Sequence, residues 1–193
     1  MKIQSVCIFC GASSGFDSAY HAAAAELGET IGSKGINLIY GGGQTGLMGV
    51  IADSVLNSGG EVTGVIPDYL NNRGLGHQGL SRLEIVNSMH ERKRRMFDLA
   101  DGIVVLPGGV GTLEEALEVI TWKQLGMNDK PIVILNVQKY WQKLDELIFA
   151  MIEHGFAAPP TQDLYELVNN PSEVVPMLET IQANPINTDL ARL

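Results

Sequence analysis

Positive charge is scarce in this sequence: 13 lysines and arginines stand against 22 aspartates and glutamates, a net charge of −9. A protein that covers nucleic acid or an anionic membrane needs a broad positive field, so neither is expected as a partner, although one local basic pocket remains allowed. Long apolar runs are missing too, since nothing approaches the roughly 18 unbroken apolar residues of a membrane-spanning helix. Met1-Lys2-Ile3-Gln4 leads straight into a short apolar strand, without the charged, apolar and small-residue zones of a secretory signal, and the expected location is the cytoplasm. Cysteine is limited to Cys7 and Cys10. Their C-x-x-C spacing invites a redox or zinc reading, but Ser5-Val6-Cys7-Ile8-Phe9-Cys10 reads as buried strand, on which residues three apart point to opposite faces. Zinc would also need two more ligands close by. The pair is expected to act as small apolar side chains, and no metal is expected.

What is present is an ordinary globular composition, 45% hydrophobic and 18% charged over 193 residues, with 22 glycines. Apolar runs and turn signals predict strands over 3–10, 37–40, 61–66, 83–86, 102–106 and 131–135. Helices are predicted over 18–34, 47–57, 89–100, 112–125 and 141–154, with a last one starting at Asn170-Pro171-Ser172-Glu173. Asp68 to Gly79 is a polar loop without periodicity. Strands alternating with helices at this spacing imply an α/β fold, a doubly wound Rossmann-like parallel sheet with helices on both faces. A single domain is expected over 1–193, with its motifs inside 1–180. In such sheets ligands sit at the carboxyl ends of the strands, which directs attention to the loops there.

Leu106-Pro107-Gly108-Gly109-Val110-Gly111-Thr112-Leu113-Glu114-Glu115 follows a buried strand and opens a helix. Glycines let the backbone turn sharply and approach a ligand, and the free N–H groups of a first helical turn favour an anion, so phosphate is the natural occupant. The loop lacks the Gly-Lys-Ser/Thr ending of a Walker A loop. Gly41-Gly42-Gly43-Gln44-Thr45-Gly46 repeats the strand–glycine–helix plan. Neither it nor Cys10 to Gly15 is a dinucleotide fingerprint, because Tyr40-Gly41-Gly42-Gly43 stands where an acidic residue would close the second strand.

Two acidic residues have a purely structural reading. Thr112-x-x-Glu115 matches a capping box, as does Ser88-x-x-Glu91, where Glu91 is taken to be a cap. Glu91-Arg92-Lys93-Arg94-Arg95 holds four of the 13 basic residues. Arg94 with Asp98, or Glu91 with Arg95, would make ordinary i,i+4 pairs on a solvated face. Arg92 and Lys93 lie in the first helical turn, where cations oppose the helix dipole, so a phosphate or carboxylate is expected to compensate them.

Together, the stretches Pro107 to Glu115, Ser88-Met89-His90-Glu91-Arg92-Lys93, Tyr40 to Gly49 and Thr121-Trp122-Lys123-Gln124-Leu125-Gly126 resemble the lonely-guy family of cytokinin riboside 5′-monophosphate phosphoribohydrolases. In bacteria this family often carries the label lysine decarboxylase. The resemblance implies hydrolysis of the N-glycosidic bond of a purine nucleoside 5′-monophosphate (AMP or an N6-substituted form) by a homodimer or larger assembly. It makes Arg92 and Glu115 the catalytic pair. It assigns Lys93 and Thr121 to nucleotide binding, and Gly109, Val110, Gly111, Thr112, Leu113 and Glu114 to the phosphate and ribose. Gly42, Gly43, Met89 and Gly108 lie in the matched stretches and Ser13 in the first loop, and all join the binding set. Two positions depart from the family pattern: Ala12 replaces a serine of the first loop, and Gly74 replaces an acidic residue.

No cofactor is expected. Pyridoxal phosphate would need a Schiff-base lysine beside a phosphate site, and Lys93, the only lysine near one, is assigned to the nucleotide. The rival reading is a non-catalytic carrier of a phosphorylated nucleotide or cofactor, of the kind seen in molybdenum-cofactor carriers, which are distant look-alikes.

Overall fold

The computed structural model describes residues 2–183; the end of the expected domain lies outside the described residues. The chain forms β1 (Ser5–Phe9), α1 (Ser18–Ser33), β2 (Asn37–Tyr40), α2 (Gly46–Asn57), β3 (Val62–Pro67), α3 (Asp68–Asn71) and β4 (Arg82–Val86). It continues through α4 (Met89–Leu99), β5 (Gly102–Val105), α5 (Val110–Gln124), β6 (Ile132–Leu135), α6 (Gln142–Glu153), β7 (Glu166–Val168) and α7 (Pro171–Ala183). The seven strands make one sheet in the order β4-β3-β2-β1-β5-β6-β7, and every pairing is parallel. The winding reverses between β1 and β5, so the loops leaving these two neighbours diverge to opposite faces and open a crevice between them. No helix among the described residues is long and apolar enough to cross a membrane.

The core has two layers because alternate strand residues face opposite ways. Val6, Ile8 and Cys10 pack with α1, α2 and α7, while Cys7 and Phe9 pack with α4, α5 and α6. The two cysteines are therefore on opposite faces, buried and unpaired, as expected. Burial, the largest influence, pushes both thiols well above the ordinary range. On one face, glycine lets α1 touch α2 backbone to backbone: a Cβ on Gly28 would lie 2.6 Å from Ser54 Cβ, and one on Gly32 would lie 2.6 Å from the Val55 carbonyl oxygen.

Three details differ from the sequence reading. Pro67 ends β3 as expected, but the loop beyond it opens with the single turn α3. A seventh strand, three residues long, is added at the sheet edge. Helix α5 starts at Val110, with Gly109 as its N-cap, instead of at Thr112.

Candidate active site

The start of α5 presents main-chain donors of the kind that suit an anion. The first N–H groups of a helix have no intrahelical acceptor, and here Leu113 N–H is the one that bonds back to the Gly109 carbonyl, at 3.0 Å. The turn before it is stitched to the first loop by Gly11 N–H donating to the Pro107 carbonyl at 3.0 Å. Gly108 must be glycine, since a Cβ there would fall 2.1 Å from Thr112 Oγ1. Gly109 and Gly111 differ. Neither is left-handed, and a Cβ on either would meet nothing within 4 Å. Conformation and internal packing thus leave their lack of a side chain unused, and bare backbone facing open space suits a ligand that comes close.

The crevice beside this turn has a volume of about 450 Å³ and is lined by Gly11 to Gly15, Tyr20, Leu47, Pro107 to Gly109 and Tyr140. Ser13 lies here, its Oγ accepting from Gly15 N–H at 3.5 Å. No charged side chain lines the crevice. The charges are gathered instead around α4 and α5.

Arg92 is only 8% exposed. Its Nη1 donates to Glu115 Oε1 at 2.9 Å, and its Nε donates to the Val65 carbonyl at 3.1 Å. Gly41 makes room for the guanidinium, because a Cβ there would fall 1.8 Å from Nη2. Glu115 is 9% exposed. Burial holds its carboxyl above the ordinary glutamate range, with Arg92 pulling the other way. Lys93 lies between Glu114 and Glu118. Burial lowers it, but the two carboxylates outweigh that and leave the ammonium raised. The first-turn cations are thus compensated within the chain.

This arrangement overturns the capping-box reading of Glu115. With α5 starting at Val110, Thr112 is already inside the helix and Glu115 is on its second turn, bonded to Arg92. The parallel reading at α4 holds: Ser88 Oγ accepts from Glu91 N–H at 3.1 Å, and Glu91 caps the Asn87 N–H at 2.9 Å. Arg94 pairs with Asp98 as expected. Arg95 does not pair with Glu91; it reaches Glu84 on β4 with two bonds of 2.7 and 3.1 Å.

The remaining expected residues divide. Thr112 is buried against Gly108, Leu113 packs on the core, Val110 is 85% exposed, and Met89 Sδ lies 3.6 Å from Arg92 Nη1. Gly42 and Gly43 are buried and do not line the crevice. Gly42 is left-handed, with φ of 72°; its carbonyl accepts from His77 N–H at 2.9 Å, and Gly43 bridges to Gly76. His77 pins this loop contact. Its Nδ1 accepts from Gly79 N–H at 3.0 Å, leaving the proton on Nε2, 3.0 Å from Asp53 Oδ1. Gly74 is left-handed as well, with φ of 73°, a conformation that suits glycine. Thr121 stands apart: it is exposed on a later turn of α5, and its hydroxyl donates to the Leu117 carbonyl at 2.7 Å.

Glu118, Tyr20 and Tyr140 escaped the sequence reading. Glu118 carried a signal, being four residues from Glu114 and so on the same helical face. The tyrosines come from other loops and carried none.

The residues do not fit pyridoxal phosphate. A Schiff-base lysine needs a lowered pKa, whereas Lys93 is raised. The lysine with a strongly lowered value, Lys123 at about 8 through burial, is 1% exposed and donates to the Lys130 carbonyl, outside the crevice. Among the described residues, no group of three or more His, Cys, Asp or Glu could hold a metal ion.

The fold and site define a doubly wound α/β protein with open glycines at one helix start and a buried arginine–glutamate pair one turn beyond. Residues 48–178 match the family model described as "Possible lysine decarboxylase". The chain is 43% identical over 178 residues to "Cytokinin riboside 5'-monophosphate phosphoribohydrolase LOG1" of Arabidopsis thaliana, covering 92% of this chain and 84% of that one. It is 42% identical to LOG3 of the same plant, with coverages of 92% and 83%. The chain belongs to this LOG, or lonely-guy, family. A solved structure, the molybdenum cofactor binding protein of Rippkaea orientalis, superposes with a TM-score of 0.72 at 16% identity, covering 94% of this chain and 99% of that one. That likeness concerns the fold alone.

Proposed function

We propose that the chain hydrolyses the N-glycosidic bond of purine nucleoside 5′-monophosphates, AMP or N6-substituted cytokinin riboside 5′-monophosphates, to the free base and ribose 5-phosphate. The names of its relatives support this reading. The observation that carries it is the buried 2.9 Å contact of Arg92 with Glu115, one helical turn beyond the open glycines. In the proposed reaction the amides at the start of α5 hold the 5′-phosphate. Positive charge then builds on the ribose ring as the base departs, as in sugar hydrolysis. The Glu115 carboxylate either faces that charge or takes a proton from the attacking water, whose oxygen bonds the anomeric carbon as the C–N bond breaks. The leaving purine, steadied by Arg92, takes up a proton from solvent. Electrostatic positioning of this kind is typically worth several kcal/mol. Ionised Lys93 and its partner Glu114 are assigned to the nucleotide.

The test is a panel of nucleoside 5′-monophosphates, nucleosides and N6-substituted forms, with released bases separated chromatographically. Glu115→Gln is expected to keep the fold and lower base release at least about 100-fold. Turnover retained in that variant refutes the role.

One observation favours a second reading, a carrier that holds a phosphorylated nucleotide or cofactor without chemistry: Arg92 and Glu115 do not line the crevice. Stoichiometric retention of AMP with no base released would decide for it. We further propose that the protein works in the cytoplasm as a homodimer or larger assembly. Ile85, Met89, Leu117, Leu125 and Met127, on or beside β4, α4 and α5, are all exposed and support self-association. A monomer mass by light scattering at working concentration would overturn it.

A further inference from the structure

We propose that Tyr140 is a positioning residue that locks the Gly108–Gly109 peptide of the anion seat in its phosphate-receiving orientation. This rests on reading that turn as the seat of the 5′-phosphate. Tyr140 reaches the seat from the turn between β6 and α6, which is strained. Gln138 and Lys139 are consecutive left-handed residues, with φ of 51° and 59°, and no other non-glycine residue among those described has positive φ. Side chains disfavour that region, and strain of this kind persists only where the surroundings enforce it, most often at functional sites. The enforcement is visible: buried Asn136 accepts Trp141 N–H on its Oδ1 at 2.8 Å and donates its own N–H to the Val168 carbonyl at 2.8 Å.

The turn delivers one phenol to the crevice wall. The Tyr140 ring meets Tyr20 edge-on at 5.6 Å and Trp141 at 4.9 Å, and its hydroxyl donates to the Gly108 carbonyl. That carbonyl and the Gly109 N–H belong to one planar trans peptide, so they point in opposite directions. Fixing the oxygen on Tyr140 aims the Gly109 N–H away from Tyr140 and engages an oxygen that would otherwise repel an anion. The lock is needed because the residues on either side are both glycine, whose torsions oppose a peptide flip least. Gly109 has nothing within 4 Å of its missing Cβ to oppose a flip.

The test compares wild type with Tyr140→Phe by calorimetric titration with ribose 5-phosphate, inorganic phosphate and adenosine, alongside melting temperature. Phenylalanine keeps both ring contacts, so melting should shift by no more than a few degrees. Ribose 5-phosphate and phosphate are expected to bind about fivefold more weakly, as for one lost hydrogen bond, with adenosine unchanged. With AMP as substrate, KM should rise and kcat hold. Binding of ribose 5-phosphate within twofold of wild type, or equal weakening of adenosine, overturns the proposal, as does a wild type that binds neither phosphate ligand. If phosphate binding weakens selectively in a protein that releases no base, the positioning role stands and the hydrolytic reading alone fails.

Discussion

Glu115 gathers most of the chemical argument at the scale of single residues. Its folded-state pKa is raised by burial against the pull of Arg92. If the ionised form does the work, kcat/KM for AMP should fall as pH drops through that raised value. The acid limb then lies above the roughly 4.3 of a free glutamate. A pH–rate profile checks this, and a limb at or below that reference would count against Glu115 as the titrating group. The stability effect has the opposite sign to that of a salt-bridged carboxylate whose pKa is depressed. Ionised Glu115 detracts from stability above its folded pKa, and the penalty is absent below its unfolded value. Arg92 and Lys93 were legible in the sequence as first-turn cations in need of compensation. Their partners were not, because the carboxylates sit on α5, more than twenty positions away, and only packing of the two helices brings them together.

At the scale of elements, the glycines of the α5 loop separate by cause. Gly108→Ala is expected to destabilise the turn, since its Cβ would enter Thr112. Gly111→Ala should do the reverse for the fold: the site is helical and open, so alanine stabilises by about 0.5–1 kcal/mol. It should also weaken ribose 5-phosphate binding at least about tenfold by placing a methyl group where the ligand approaches. Denaturant titration and calorimetry on the same sample check both halves, and unchanged affinity would show that the open space serves no ligand. The strand–glycine–helix order was readable because buried strands, cap residues and turn glycines each leave a local mark. What failed was local ambiguity. Thr112-x-x-Glu115 and Ser88-x-x-Glu91 look alike as strings, yet a glycine cap starts α5 two residues early, and the same spacing then turns Glu115 inward. Strand β7 is three residues at an edge, too short for any period to show.

Over the whole molecule, the fold spends its cysteines as packing. Cys7 and Cys10 sit on either side of the central strand with thiols pushed up by burial. The native protein should therefore leave a thiol reagent at neutral pH essentially unconsumed, and both thiols should react once guanidinium unfolds the chain. Rapid labelling of the native state would mean that the sheet opens readily.

The contact of α1 with α2 through Gly28 and Gly32 has one more consequence. Two rods whose main chains already touch have no slack to slide or tilt, so that side of the molecule behaves as a fixed jaw. Breathing that admits a substrate and lets a base escape then belongs to the glycine turn at the start of α5, where Gly109 and Gly111 face open space. Amide hydrogen exchange should follow this division, slowest along the α1–α2 seam and faster at the first-turn amides of α5 around residues 109–112, with ribose 5-phosphate quieting the second region and leaving the first as it was.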